Sequence, residues 1–151
     1  MERDPYGSLC GSKFQVIGRT FCDNTAVKYG ALLLSTEQLH YSQIYYALPE
    51  EAAMMKYIIN TFLAMKVTFM NEWFEIAERE HVSWDVLHNL FLLDERVGRS
   101  HTLVPGPDYK FGFGGSCFPK DLDAIISEYR DLKVLPAIKK ANTKFKERND
   151  G

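Results

Sequence analysis

The strongest pattern in the chain is a stretch from Pro49 to about His81 in which no residue breaks a helix. Met55, Ile58, Ile59, Phe62, Met65, Phe69, Trp73 and Ile76 recur at helical spacing, and Met54, Leu63, Met70 and Phe74 widen the apolar arc. Pro49 suits a first helical position, and Glu50 and Glu51 complement the helix dipole there. An arc this wide needs cover from more than one side. In a chain of 151 residues, a second subunit is a natural source of it.

The flanking patterns are shorter. Residues up to Gly11 are rich in Gly, Pro and Ser and read as a loop or frayed end. Lys13 to Gly18 is a β-prone run stopped by glycine, Asp23-Asn24-Thr25 offers an N-cap for a helix over Ala26 to Leu34, and Tyr41 to Tyr46 is a second β-prone run. Strand, helix, strand in that order resembles the edge of an α/β sheet. Beyond the long helix, Ser83 is placed to cap a helix from Trp84 to about Asp94. Gly98 to Ser116 is too rich in Gly and Pro for regular structure, and helices resume at Pro119 to Asp131 and at about Leu135 to Arg148. The expected fold is therefore mainly α, built on one long helix and preceded by a short strand-helix-strand remnant of an α/β domain. The domain boundary falls between residues 48 and 49.

Charge changes this picture little. Eighteen Lys and Arg against 20 Asp and Glu leave a net charge of -2, with no field to gather nucleic acid or an anionic membrane. The lysines near the C-terminus are interrupted by Glu147 and Asp150 and read as a solvated helix face. The long helix carries Lys56, Asn60 and Lys66, which disqualify it as a transmembrane span. Three cysteines, Cys10, Cys22 and Cys117, suit a reducing compartment such as the cytoplasm, although one disulfide plus a free thiol is also compatible with an odd count. His40, His81, His88 and His101 are scattered and no Cys/His pair has zinc-ligand spacing, so no metal site is expected.

Candidate chemistry concentrates in Gly112-Phe113-Gly114-Gly115-Ser116-Cys117-Phe118-Pro119-Lys120-Asp121. Glycines let the backbone approach a ligand or take positive φ. A lone thiol follows, placed just before the helix that Pro119 begins. A helix N-terminus and a nearby ammonium both favour a thiolate, the form that acts as a nucleophile. The competing reading is a buried structural cysteine after a turn. Lys56 and Asn60 stand one turn apart on the long helix, among apolar neighbours. An ammonium beside an amide can hold an oxyanion or a water. Equally, the lysine can snorkel to solvent along its stem.

Taken in order, Lys56-x-x-x-Asn60-x-Phe62-Leu63-Ala64-x-Lys66, Asn71-Glu72, Asp94-x-Arg96-Val97-Gly98-x-Ser100-His101, Val104-Pro105-Gly106-Pro107-Asp108 and the cysteine motif resemble the UDP-glucose/GDP-mannose dehydrogenase family, and within it the UDP-glucose 6-dehydrogenase branch. The resemblance runs from about Phe14 to Arg148. It implies an NAD-dependent oxidation of a sugar primary alcohol to a carboxylate through a thioester on cysteine. Cys117 would then be the nucleophile, Lys56 would stabilise the oxyanion, and Asn60 and Asp121 would orient or activate the hydrolytic water. Phe113, Gly114 and Phe118 would contact the nucleotide sugar, Arg96 would reach it across a dimer interface, and Lys120 would contact the cofactor. The long helix would form the central dimerisation domain.

The departures from the family pattern are equally definite. No G-x-G-x-x-G loop follows a strand: Gly112-x-Gly114 lacks both the strand and the third glycine. The glutamate expected just before the Phe14 strand, the cofactor-binding domain and a C-terminal nucleotide-binding domain are not found in these residues. Two readings follow. In one, the chain is the cysteine-bearing part of a nucleotide-sugar dehydrogenase, inactive alone and completed by another chain or a full-length enzyme. In the other it is a non-catalytic dimerisation or nucleotide-sugar-binding module derived from that enzyme. Met1 and the lack of a tag lean towards a short gene product.

Overall fold

A computed structural model describes residues 14–20, 24–35 and 43–149. Cys10, Cys22 and His40, the N-terminal loop up to Gly11, and the ends of the two β-prone runs at Lys13 and Tyr41 lie outside the described residues. The chain divides into two compact units, Met1–Lys56 and Tyr57–Gly151. The long helix contributes to both.

In the first unit, β1 (Phe14–Gly18) and β2 (Gln43–Ala47) pair in parallel, Phe14 opposite Gln43 and Gly18 opposite Ala47. Parallel strands need a crossover, and α1 (Thr25–Leu34) supplies it, with Asn24 at its N-cap position. The helix meets the sheet at Gly30, where a Cβ would lie 2.3 Å from the Tyr46 hydroxyl and 3.3 Å from Ile44 Cγ2. Only glycine lets helix and strand approach so closely here. The long helix, α2 (Pro49–Arg79), opens with half of a capping box: Glu51 Oε2 accepts the Leu48 N–H at 2.8 Å.

The second unit packs α2 from Tyr57 onward with α3 (Trp84–Phe91), α4 (Cys117–Glu128) and α5 (Val134–Glu147). Ala64, Phe113, Leu122 and Ile138 form its core, flanked by Val67, Phe118, Ile126 and Leu135. The inward line of α2 is small and polar: Thr61, Ala64, Thr68 and Asn71 are buried. The threonine hydroxyls are satisfied inside the helix, donating to the Tyr57 and Ala64 carbonyls at 2.7 and 2.9 Å. Small side chains let α2 sit close to the loop and helices it supports. Met70 is buried as well, but several large residues of the same helix face outward, Ile58 with 64% of its surface exposed, Phe62 54% and Phe69 46%. Arg148 ties α5 to α2 by ion pairs with Glu75 and Glu78, and lies over the Phe111 ring at 4.3 Å.

Several boundaries differ from the sequence pattern. The α4 helix begins at Cys117, two residues before Pro119. Proline is tolerated as its third residue because the first four N–H groups of a helix need no intrahelical acceptor. That helix ends at Glu128 rather than Asp131, since Tyr129 leaves helical conformation at φ -114°, ψ 93°. The α3 helix stops at Phe91 instead of Asp94, closing with a tighter Leu93 N–H to Leu90 carbonyl bond. Ser83 occupies the N-cap position of α3, but its side chain makes no capping bond; its carbonyl accepts the Leu87 N–H at 3.0 Å.

Leu122 is 1% exposed at the centre of the second unit. Leu122→Ala should cost about 3 kcal/mol of unfolding free energy, measured by urea denaturation of the whole chain. A loss within experimental error would contradict this account of the core.

Candidate active site

The glycine-rich loop is held from beneath before it reaches the cysteine. Phe111, Gly112 and Phe113 belong to no strand, so their backbone polar groups need other partners. Asn149 accepts the Phe111 N–H at 2.8 Å and donates to the Phe111 carbonyl at 3.1 Å. Asn71 accepts the Gly112 N–H at 3.0 Å. Asn142 accepts the Phe113 N–H at 2.7 Å and donates to its carbonyl at 3.0 Å. Gly112 has φ +72°, and a Cβ there would lie 2.6 Å from Asn142 Oδ1. Here both conformation and space demand glycine.

Past this grip the chain turns through Gly114 and Gly115, around which a Cβ would meet nothing within 4 Å. Gly115 has φ +73°. Cys117 follows as a half-buried thiol, in no disulfide, on the first residue of α4, where unsatisfied N–H groups and the helix dipole favour negative charge.

One turn into α4, Asp121 has 0% of its surface exposed. Asn60 Nδ2 donates to its Oδ2 at 2.5 Å, and the Lys120 ammonium pairs with Oδ1. Lys120 stays largely in solvent. Its pKa is raised, chiefly by the hydrogen bond to Asp121, with smaller contributions from the charges of Asp121, Tyr57 and Cys117. By reciprocity, the ammonium favours a charged Cys117 sulfur. Lys120, Asp121 and Asn60 thus form one bonded group from two helices, a cation, a carboxylate and an amide, with the Cys117 thiol one helical turn before Asp121.

Other residues singled out by the sequence fall elsewhere. Phe113 is 5% exposed in the core, with both backbone polar groups held by Asn142, so its ring supports the loop from within. Phe118 is half-buried against Phe113, ring centroids 6.1 Å apart, and against His101 at 5.5 Å. Gly114 is exposed. Arg96 is exposed and grips Asp94, its Nε donating to Oδ1 and Oδ2 at 2.9 and 3.1 Å. The guanidinium holds the Asp94 carboxyl below its ordinary pKa, and the carboxylate raises that of Arg96. Lys56 is exposed on α2 and is the last residue of the first unit.

Sequence reasoning missed Asn71, Asn142 and Asn149. Two of the three carried a readable signal: Asn142 shares the helical spacing of Ile138 and Phe145, and Asn71 continues the line of Thr61, Ala64 and Thr68. A polar residue on a buried line must find partners. It missed His101 as well, whose pKa is lowered, first by burial and then by the charge of Lys66; Lys66 itself donates to the Gly98 carbonyl at 2.8 Å.

Comparison with known proteins gives the family. Residues 50–148 match the family model for the central domain of the UDP-glucose/GDP-mannose dehydrogenase family. A UDP-glucose 6-dehydrogenase of Rickettsia typhi is 40% identical over 93 residues, 59% of this chain and 20% of that protein. One from Bacillus subtilis is 32% identical over 130 residues, 83% of this chain and 27% of that protein. One from Pseudomonas aeruginosa is 36% identical over 101 residues, covering 64% and 21%. The chain thus spans about a fifth to a quarter of the length of these curated relatives.

The environment of His101 gives a pH dependence. A histidine whose folded pKa lies below its ordinary 6.5 binds fewer protons folded than unfolded, so its contribution to stability is present above that pH and is lost on acidification. His101→Asn keeps a residue that tolerates the observed φ of +62° and removes the titration. The wild-type chain should lose more stability than the variant between about pH 7 and 5, read by urea unfolding. Parallel pH profiles would refute the assignment.

Proposed function

Because the chain belongs to the UDP-glucose/GDP-mannose dehydrogenase family, as a central domain, we propose that it supplies the cysteine step in oxidation of a nucleotide sugar, UDP-glucose first among them, from the C6 alcohol level to the carboxylate. The observation that carries this reading is the place of Cys117 at the start of α4, one helical turn before a buried Asp121 held by Asn60 and Lys120.

The chemistry this chain would perform brackets the redox change. The Cys117 thiolate adds to the C6 aldehyde carbon: an S–C bond forms, and the carbonyl π pair moves to oxygen. The resemblance gives Lys56 the role of stabilising that oxyanion. Once the carbon stands at the thioester level, a water oxygen adds to it, the S–C bond breaks and the thiolate leaves with the electron pair. The carboxylic acid then ionises. By the same resemblance, Asn60 and Asp121 would orient or activate that water, and the hydrogen bond between them supports their acting together. Gly114 and the exposed turn after it would carry the sugar, with Phe118 beside them, and Arg96 would reach the substrate from a partner subunit.

NAD is the oxidant implied by the resemblance, but the described residues do not make a dinucleotide cradle. Gly112 and Gly114 follow no strand, Asn142 Oδ1 occupies the space beside Gly112, and the Lys120 ammonium is engaged by Asp121. No hydride step is therefore assigned to these residues. The oxidant's domain would come from elsewhere in a longer protein or from another chain.

A homodimer through α2 completes the proposal. The outward stripe of Ile58, Phe62, Phe69 and Trp73 is exposed in one chain, and beside it an apolar groove of about 290 Å³ runs between α2 and α3, lined by Phe69, Trp73, Trp84 and Phe91. No helix among the described residues is long and apolar enough to cross a membrane. A lone catalytic thiol fits a cytoplasmic, reducing setting.

Two measurements test the proposal. Brief iodoacetamide treatment of the native chain near pH 7 should label Cys117 faster than Cys10 or Cys22, as mapped by peptide mass spectrometry; equal or slower labelling at Cys117 would remove the nucleophile. Sedimentation at micromolar concentration should show a dimer that Phe62→Asp converts to monomer, and a monomeric wild-type chain would end the interface proposal.

A further inference from the structure

Resting on the reading of Cys117 as nucleophile, we infer that Asn142 is a positioning residue for it, acting through the backbone of Phe113 to set the turn that presents the thiol. Five hydrogen bonds from three asparagines take the place of strand pairing along Phe111–Phe113. Asn142 makes the two nearest the cysteine. One buried amide that both accepts from and donates to the same residue fixes its position and its orientation, as a neighbouring strand would.

The consequence lies in what comes next. Gly114 and Gly115 have open space around them, so nothing between Phe113 and the start of α4 restrains the turn by contact with a Cβ position. Its path is set at its ends, by Asn142 on one side and by the helix that Leu122 and Asp121 anchor on the other. A turn fixed at both ends and clear in the middle is preorganised for a ligand. It also holds Cys117 in line with the N–H groups of α4. Gly112 completes the device, since any larger residue there would drive a Cβ into Asn142 Oδ1. The effect of Asn142 on the turn passes through the Phe113 backbone that it holds.

The test uses the full chain. Cys117 alkylation by iodoacetamide is followed by peptide mass mapping, with amide hydrogen exchange measured in parallel. Asn142→Leu keeps the side-chain volume but removes both hydrogen bonds. It should slow Cys117 labelling about fivefold, as the sulfur loses alignment with the helix N-terminus. It should also speed exchange at residues 111–117 while α3 and α5 keep wild-type protection. Asn142→Asp retains the acceptor for the Phe113 N–H and should recover part of the lost rate, a rescue that space-filling alone would not produce. Gly112→Ala displaces the same contact from the loop side, leaving α5 unaltered, and should slow labelling similarly. Wild-type labelling in both Asn142→Leu and Gly112→Ala would overturn the inference. So would faster exchange throughout residues 57–149, which would make Asn142 a support of the whole unit. If Cys117 of the unaltered chain labels no faster than Cys10 and Cys22, the nucleophile reading fails instead, and the two failures are told apart by that control.

Discussion

A carboxylate with no exposed surface must be answered by charge and hydrogen bonds, and Asp121 draws the site together by that requirement. Its two oxygens are met by Asn60 of α2 and Lys120 of α4. The Asn60 bond can form only where the Tyr57–Ala64 stretch of α2 lies beside the first turns of α4. Cys117, one turn before Asp121, is carried to the same place. Each partner offsets part of the cost of burying that charge, so this group resists rearrangement and keeps the ammonium and amide beside the helix turn that carries the thiol.

The division of α2 into two faces follows from the same economy. A helix lying against both a glycine loop and a second helix needs small side chains on that line, and Thr61, Ala64, Thr68 and Asn71 provide them. Asn71 adds a polar group where the loop backbone needs one. Ile58, Phe62, Phe69 and Trp73 stand on the outer face instead, while Met70 is buried. Apolar surface of that extent lowers free energy when covered, which is why the proposed function includes a partner subunit rather than an isolated chain.

Much of this was legible in the sequence. The long helix was, because Pro49, two glutamates and an unbroken apolar period leave no other element possible. The parallel strand pair and its helix were readable from two β-prone runs flanking an Asn-Thr cap. Periodicity did not say which face of α2 turns inward, since it finds the most apolar line, and here the inner line is the smaller and more polar one. The start of α4 was misplaced because proline usually marks a helix's first residue, whereas a third-position proline loses nothing when the preceding N–H groups are free. Within the site, the cysteine motif and the Lys56-Asn60 pair could be read from residue type and spacing. That Asn71 and Asn142 need buried partners was also readable, but which backbone they grip was not, because the asparagine side chains meet loop backbone 29 to 41 residues away and no local pattern encodes that distance.

The proposed chemistry turns on a covalent bond between Cys117 and the oxidised sugar carbon. The most direct measurement is carbon NMR of the full chain mixed with a C6-aldehyde nucleotide sugar carrying carbon-13 at C6. The account predicts a protein-bound signal for a tetrahedral carbon bonded to sulfur in the wild-type chain, absent in Cys117→Ser. Spectra showing only free aldehyde and its hydrate in both proteins would contradict it.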